Sequence, residues 1–151
     1  MPTYFAYGSN MDRAAMARRC PRSVALGTAR LARHRPALTP AGYATVASEP
    51  RGIVWGLLWD LALADVPALD RWEEVSRGMY SKATMPVVRH GGAAVRALIY
   101  IGNDVVLAGA GASAAYGAAI VAAAKDLELP AAYTAQLQAL YGLDAGRRVT
   151  R

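Results

Sequence analysis

The chain has 151 residues, of which 54% are apolar and 19% are charged, and this composition excludes an intrinsically disordered protein. One cysteine excludes an internal disulfide, and with only two histidines the chain has too few soft ligands for a metal cluster. The net charge of +6 comes from short groups of arginines, such as Arg18, Arg19 and Arg22, which we interpret as solvated surface rather than as a nucleic-acid-binding stripe.

The sequence indicates a single domain followed by a basic tail, with no membrane-spanning segment. A last group of arginines follows Gly146 and predicts a basic tail at 145–151, after one domain at 1–144. The uncharged segment 105–124 is about as long as a membrane span, but alanine and glycine dominate it and contribute little transfer energy. We predict a loop and then a buried helix there. The first residues lack the pattern of a secretory signal, so we expect a cytoplasmic protein with no membrane partner.

The first sixty residues predict mostly strands, because Thr3–Tyr7 is a short aromatic run, Tyr43–Ser48 has β-branched residues and Ile53–Leu61 is almost continuously apolar. In chain order we predict a strand at Thr3–Tyr7, a helix from Met11 to about Arg19, a strand at Val24–Ala32, an irregular segment at His34–Ala41, and strands at Tyr43–Ser48 and Ile53–Leu61. Pro50-Arg51-Gly52 is typical of a turn between the last two strands. Gly56, in the middle of the last strand, indicates a close backbone approach or a bulge.

The rest of the chain predicts helices and strands that do not alternate one for one. In chain order we predict a helix at Ala64–Glu73, strands at Tyr80–Val88 and Val95–Tyr100, a helix at Ala114–Leu127 and a last helix from Pro130 to Tyr141. Gly91-Gly92 is typical of a hairpin turn, and Gly142 of a helix end. The order favours an α+β fold, a small curled mixed β-sheet or barrel with flanking helices, over a doubly wound sheet.

The turn Tyr7-Gly8-Ser9-Asn10 joins the first strand to the first helix. Gly8 allows a close backbone approach and unusual angles, and Ser9 or Asn10 can cap the helix that follows. Unpaired N–H groups at such a helix start carry partial positive charge and suit a carboxylate or a phosphate. Taken alone, however, the turn is explained more simply as a capped strand–helix connection.

A second motif runs from Leu69 to Tyr80 and places acidic residues at a helix end. Trp72 and Val75 can surround one carboxylate with apolar groups, which would raise its pKa and make it a proton carrier near neutral pH. The alternative is a solvated charged helix end. We assign Asp70, Arg71 and one of the two glutamates, Glu73 or Glu74, to such a solvated face.

Together the two motifs resemble the γ-glutamylcyclotransferase family, whose fold is also called AIG2-like. The shared motifs are, in order, the Tyr-Gly-Ser-Asn turn, Val54-Trp55-Gly56, Leu69-Asp70, a glutamate, Gly78-Met79-Tyr80, Tyr116-Gly117-Ala118, Leu129-Pro130, Tyr133 and Leu137. The resemblance covers nearly the whole chain. Each motif is modest alone, but their order and spacing are fairly specific.

The resemblance implies an enzyme that cleaves a γ-glutamyl amide and closes 5-oxoproline, with the substrate's own α-amine as nucleophile. It implies Glu73 as the catalytic residue, and as substrate-binding residues Tyr7, Gly8, Ser9, Asn10, Tyr80 and Tyr116. Tyr80 would hydrogen-bond to Glu73 or to the substrate. The partner would be the small-molecule γ-glutamyl substrate, with no nucleic acid, metal or other cofactor, and a homodimer is left open.

One position departs from the family pattern, which usually has Glu-Gly where this chain has Glu73-Glu74. Counting back from Tyr80 assigns the catalytic position to Glu73, and a positive φ at the next position would strain Glu74. Glu74 could also favour substrates whose leaving amine is cationic. Two alternatives stay open: a non-catalytic small-molecule-binding module on the same fold, and removal of a γ-glutamyl group from a biosynthetic intermediate.

Overall fold

Five strands form a closed barrel flanked by α-helices in the computed structural model, which describes residues 2–104 and 114–143. The strands are β1 (Thr3–Ala6), β2 (Val24–Leu38), β3 (Ala44–Asp60), β4 (Tyr80–Arg89) and β5 (Ala94–Gly102). The helices are α1 (Arg13–Arg19), α2 (Val66–Trp72), α3 (Ala114–Asp126) and α4 (Ala131–Leu140). Around the barrel the order is β1-β3-β2-β4-β5, and the parallel contact of β1 with β5 closes an otherwise antiparallel sheet. The predicted α+β fold, a curled mixed sheet with flanking helices, is confirmed.

The hairpin of β2 and β3 is longer than the sequence indicated. Residues 34–38, predicted to be irregular, continue β2, and within the described residues Pro36 lies where β2 pairs with β3 alone. Proline is tolerated on such an edge because one row of N–H groups is not needed for pairing. The predicted turn at Pro50-Arg51-Gly52 is also wrong, because β3 is continuous and residues 49–52 bulge opposite the single residue Arg33.

The start of α1 also differs from the expectation. Asp12, rather than Ser9 or Asn10, caps the helix, and its carboxylate accepts from two N–H groups of the first turn at 2.9 and 3.3 Å. A separate 3-10 turn at Ser9–Met11 precedes the cap and moves the helix start along the chain. Ser9 and Asn10 of the Tyr7–Asn10 turn thus belong to a short 3-10 turn, and their N–H groups lie outside the α-helix.

The predictions for the second half are largely confirmed. The hairpin glycines have φ of 96° at Gly91 and 98° at Gly92, and Gly142 has φ of 72° just after α4. The predicted loop at 105–113 and the basic tail lie outside the described residues, as does residue 144. Within the described residues, no helix combines the length and the apolar character that crossing a bilayer requires.

The barrel core brings the end of β1 against β3. The fully buried side chains include Phe5, Leu57, Leu58, Ile99, Ile120 and Leu137. Gly56 makes the predicted close approach, because a Cβ there would lie 2.3 Å from the carbonyl oxygen of Ala6. This packing fixes where β1 ends and therefore where the Tyr7–Asn10 turn begins.

Candidate active site

A cavity of about 640 Å³ opens where β1 ends and where β3 and β4 begin. Its lining includes every site candidate from the sequence: Tyr7, Gly8, Ser9, Asn10, Glu73, Tyr80 and Tyr116. It also includes aromatic and cationic residues that sequence reasoning did not select: Tyr4, Arg19, Tyr43, Trp72 and Tyr100. The two motifs, distant in sequence, therefore contribute to one cavity.

The Tyr7–Asn10 turn is held by contacts from other elements. Asn10 is buried, its carbonyl accepts from Trp59 Nε1 at 3.1 Å, and its Nδ2 donates to the hydroxyl of Tyr4 at 3.1 Å. The N–H groups of Ser9 and Asn10 donate to no acceptor in the part of the chain that the structure describes. Such groups carry partial positive charge, so this wall of the cavity can receive an anion.

Gly8 is required by space rather than by its φ. The φ is −122°, which other residues also adopt, but a Cβ here would lie 3.1 Å from the Cβ of Ala44. Ala44 is itself fixed, because its carbonyl accepts from the Tyr80 hydroxyl at 2.6 Å and its N–H donates to the Tyr116 hydroxyl at 2.9 Å. The glycine therefore allows the turn to pack closely against the start of β3.

These two tyrosines hold β3 and leave their oxygen atoms at the cavity wall. The Tyr80 hydroxyl donates to Ala44, so the hydrogen bond from Tyr80 to Glu73 that the sequence suggested is not formed. Burial raises the pKa of Tyr116 to about 12 and raises that of Tyr80 far above its ordinary range, so both are neutral near pH 7. A neutral hydroxyl oxygen can still accept a hydrogen bond from a ligand.

Glu73 is the half-buried residue at which α2 ends. Its N–H donates to the carbonyl of Leu69 at 3.0 Å, and its side chain lines the cavity. Burial raises the pKa of its carboxyl from the ordinary 4.5 to about 7, while the positive charge of Arg19 opposes the rise. A carboxyl with this pKa is divided about equally between its two protonation states near neutral pH, which suits a group that takes and returns a proton.

Glu74 has the left-handed backbone that the family pattern assigns to glycine. Its φ is 52° and its ψ is 44°, so the conditional expectation of strain at this position is met. Its carboxylate forms an ion pair of 2.8 Å with Arg77, in which both side chains are exposed. The pairing compensates the charge of Glu74 and weakens the hypothesis that this residue attracts a cationic leaving amine.

Arg19, assigned to the solvated surface by sequence reasoning, instead points into the site and is half-buried. Its Nη1 donates to Ser9 Oγ at 3.2 Å and to Asn10 Oδ1, and its Cζ lies 3.5 Å from the centroid of the Trp72 ring. The signal in the sequence was the helical spacing. Arg19 follows the buried Met16 by three residues and so lies on the inner face of α1.

Asp70 was also assigned to a solvated face, but it is half-buried and contacts the cavity wall. Its Oδ1 accepts from the Tyr100 hydroxyl at 2.6 Å, and its Oδ2 lies 3.1 Å from Lys82 Nζ. The Tyr100 carbonyl in turn accepts from the Tyr7 hydroxyl at 2.5 Å. Asp70 therefore orients a tyrosine of the wall, a contact between residues too far apart in sequence for local patterns to reveal.

Known proteins resemble this chain in sequence and in fold. A γ-glutamylcyclotransferase from Homo sapiens is 29% identical over 147 residues, which covers 91% of this chain and 77% of that protein. A solved structure of a γ-glutamyl cyclotransferase superposes with a TM-score of 0.85 at 27% identity and covers 92% of this chain and 87% of its own. A crystal structure of an uncharacterised Homo sapiens protein gives 0.84 at 28% identity, with 91% and 86% covered. The AIG2-like family model matches residues 53–137, more than half of the sequence, and the chain therefore belongs to the AIG2-like family.

Proposed function

We propose that the protein is a γ-glutamylcyclotransferase, which converts a γ-glutamyl amide into 5-oxoproline and a free amino acid or amine. The observation that carries this proposal is the half-buried Glu73 carboxyl, whose pKa of about 7 suits proton transfer, in one cavity with the Tyr7–Asn10 turn. The named relatives support it, because two of them carry this activity as their name.

The proposed reaction is intramolecular. The substrate's α-nitrogen attacks its own γ-carbonyl carbon, a C–N bond forms to close the ring, and the original amide C–N bond breaks. No protein nucleophile is needed, and Cys20 is a poor one, because it is buried and burial raises the pKa of its thiol to about 11. The enzyme instead contributes by folding the γ-glutamyl chain into the pose in which the amine meets the carbonyl.

Proton transfer is the chemical work that we assign to Glu73. The α-ammonium loses two protons as it becomes the lactam N–H, and the leaving nitrogen gains two as it becomes an ammonium. The total charge is therefore unchanged, and one carboxyl can act first as base and then as acid. A general acid–base group in this position contributes about 10²–10⁴-fold in rate.

Substrate orientation is the role that we assign to the turn. The N–H groups of Ser9 and Asn10 have no acceptor in the described part of the chain, and Arg19 adds a positive charge beside them. Both features favour the α-carboxylate of the γ-glutamyl group. The hydroxyl oxygens of Tyr80 and Tyr116, which bond to Ala44 beside Gly8, would accept hydrogen bonds from the α-amino group.

The test is a product assay on a panel of γ-glutamyl amino acids and γ-glutamyl amines, with 5-oxoproline and the released amine measured together by mass spectrometry. We expect the two products in equal amounts from at least one member. Formation of glutamate instead of 5-oxoproline would indicate hydrolysis, and no turnover of any member would favour the binding-module alternative. The matched control is the α-glutamyl isomer of the best substrate, in which the amide is at the α-carbonyl, so that release of the amine by attack of the α-nitrogen would require a three-membered ring.

A further inference from the structure

Arg19 connects the two walls of the cavity. It is the last residue of α1, and one of its guanidinium nitrogens donates to both Ser9 Oγ and Asn10 Oδ1. The flat face of the same guanidinium lies 3.5 Å from the ring centroid of Trp72, the residue immediately before Glu73. One side chain therefore touches the proposed carboxylate-binding turn and the helix end that carries the proposed proton carrier.

The contact is anchored on the side of the turn. Asn10, which Arg19 holds by its amide oxygen, is 2% exposed and is held again by Trp59 through its carbonyl and by Tyr4 through its Nδ2. Arg19 thus binds a residue that two other elements, β1 and β3, keep in place. By contrast, Trp72 is 49% exposed, so without the guanidinium stacked on it the end of α2 has less to hold it.

Among the groups that line the cavity, Arg19 has the largest electrostatic effect on the Glu73 carboxyl. The other titratable groups that line the cavity with this carboxyl are Tyr4 from β1, Tyr7 just after β1, Arg19 from α1, Tyr43 just before β3, Arg71 from α2, Glu74 and Arg77 from the following segment, Tyr80 from β4, Tyr100 from β5 and Tyr116 from α3. Burial raises the pKa of Tyr4, Tyr7, Tyr80, Tyr100 and Tyr116, so these five are neutral near pH 7. Glu74 and Arg77 compensate each other. Arg19 is the charged group whose effect on Glu73 is largest.

We propose that Arg19 is a positioning residue, which sets the distance between the Tyr7–Asn10 turn and Glu73 and keeps part of the Glu73 carboxyl ionised at neutral pH. The role in turnover rests on the proposed function, whereas the effect on Glu73 does not. An arginine suits both tasks, because one nitrogen of its guanidinium can donate to two acceptors while the flat face of the group stacks on an aromatic ring. Lysine supplies the charge without that geometry.

The first experiment measures the Glu73 carboxyl directly and needs no substrate. The chain has four glutamates, so ¹³C labelling of glutamate carboxyls gives a spectrum in which Glu73 is identified by its absence from Glu73→Gln. We expect Arg19→Met to raise the pKa of Glu73 by about one unit, because it removes an adjacent opposite charge. Arg18→Met is the matched control, since it removes the same charge from an exposed neighbour on the same helix, and Glu73 should titrate as in the wild type.

The second experiment separates charge from geometry by kinetics. Arg19→Lys keeps the positive charge, so the acid limb of the pH profile of kcat/KM should not move. KM should rise about tenfold, because the guanidinium hydrogen bonds to Ser9 and Asn10 and the stacking on Trp72 are lost. Arg19→Met should show the higher KM as well, and its acid limb should move to higher pH by about one unit. The displaced limb lowers kcat/KM about tenfold below pH 6. If Arg19→Met does not fold, Arg19→Lys tests the geometric half alone.

The outcomes distinguish this proposal from the proposed function. The assignment of Arg19 is overturned if the pKa of Glu73 is the same in Arg19→Met as in the wild type. It is also overturned if Arg18→Met shifts this pKa as much as Arg19→Met does. Unchanged KM in Arg19→Lys overturns its geometric role. If the wild type forms no 5-oxoproline, the proposed function fails, while the titration still decides whether Arg19 controls Glu73.

Discussion

The Tyr7–Asn10 turn and the segment from Glu73 to Gly78 line the same cavity but are held in different ways. Side chains from distant elements hold the turn, such as Trp59 of β3 and Arg19 of α1. The segment is held mainly by its own backbone, in which the N–H of Arg77 donates to the carbonyl of Glu74 at 3.1 Å. Two of its residues, Glu74 and Gly78, adopt left-handed conformations with φ of 52° and 74°.

The proposed binding wall is therefore fixed by tertiary contacts, whereas the proposed proton carrier is fixed by local backbone conformation. Tertiary contacts leave the turn little freedom, so even one added methyl group should disturb it. The segment depends on local backbone conformation, so its side chains can change while the fold of the segment is kept. The replacement of the family glycine by Glu74 is an example of that tolerance.

The largest effect should come from the segment, at Glu73, to which we assign the proton transfer. Glu73→Gln preserves the shape of the side chain but cannot exchange a proton, so we expect kcat to fall by about 10²–10⁴-fold. KM should change little, because the turn that would bind the α-carboxylate is intact. Steady-state turnover of a γ-glutamyl substrate at pH 7 measures both constants.

Glu74→Gln is the matched control for that substitution. The Glu74 carboxylate is paired with Arg77 at the exposed rim, so its loss should leave kcat close to the wild-type value. The reverse result, with a silent Glu73→Gln and an inactive Glu74→Gln, would show that the register of the acidic pair is wrong.

The same glutamate should make stability depend on pH. Because burial raises the pKa of Glu73 from 4.5 to about 7, the folded state binds this proton more tightly than the unfolded chain does. Stability is therefore lost as pH rises from about 4.5 to 7, where the half-buried carboxyl must ionise. Glu73→Gln avoids that cost, and after allowance for solvent screening we expect it to be about 1–2 kcal/mol more stable than the wild type at pH 8.

Urea unfolding of both proteins at pH 8 and pH 4 measures this difference. At pH 4 the wild-type carboxyl is protonated, so the two free energies of unfolding should be nearly equal. A difference of the same size at both pH values would mean that packing, rather than ionisation, separates the two proteins.

Sequence reasoning was most successful where a residue's role depends on local pattern. It predicted that Glu73 and the Tyr7–Asn10 turn belong together and that the sheet curls, because turn motifs, strand composition and the order of the motifs are visible in the chain. It failed at Pro50-Arg51-Gly52, which has turn composition but is drawn into β3 by pairing with β2. The pairing of β2 with β3 on both sides of this segment outweighs its local turn propensity.

The missed site residues have a different cause. Arg18 and Arg19 are adjacent and chemically identical, and only the helical phase exposes one and turns the other onto Trp72. That phase is set by the buried Met16, three residues before Arg19, and the sequence interpretation did not use it. Asp70 was missed because its partner, Tyr100, comes from β5 and becomes a neighbour only when the barrel closes.

An intermediate effect is expected from Gly8→Ala, which tests how rigid the turn is. The new Cβ would lie 3.1 Å from the Cβ of Ala44, and Ala44 cannot retreat because Tyr80 and Tyr116 hold its backbone. The turn must move by a few tenths of an ångström. We expect a loss of about 1 kcal/mol in stability and a several-fold higher KM with little change in kcat.

The double variant Gly8→Ala/Ala44→Gly decides whether the contact is the cause. It transfers the methyl group from one side of the contact to the other and leaves the hydrogen bonds of residue 44 available. Recovery of KM would attribute the defect to this contact. A defect that persists in the double variant would mean that Gly8 is needed for another reason, such as direct approach of the ligand.

The smallest effect is expected from Glu74→Gly, which restores the family pattern in the segment. A left-handed conformation costs a residue with a Cβ about 1–2 kcal/mol, and glycine removes that cost. Two effects oppose the gain: glycine makes the unfolded chain more flexible, and the exposed ion pair with Arg77 is lost. We therefore expect a net stabilisation of only about 0.5 kcal/mol in denaturant unfolding, with turnover preserved.

Glu74→Gln keeps the backbone strain and loses the ion pair, so it should be slightly less stable than the wild type. If Glu74→Gly is the less stable of the two variants, the left-handed backbone at residue 74 is not a source of strain, and the segment is held by its side chains after all.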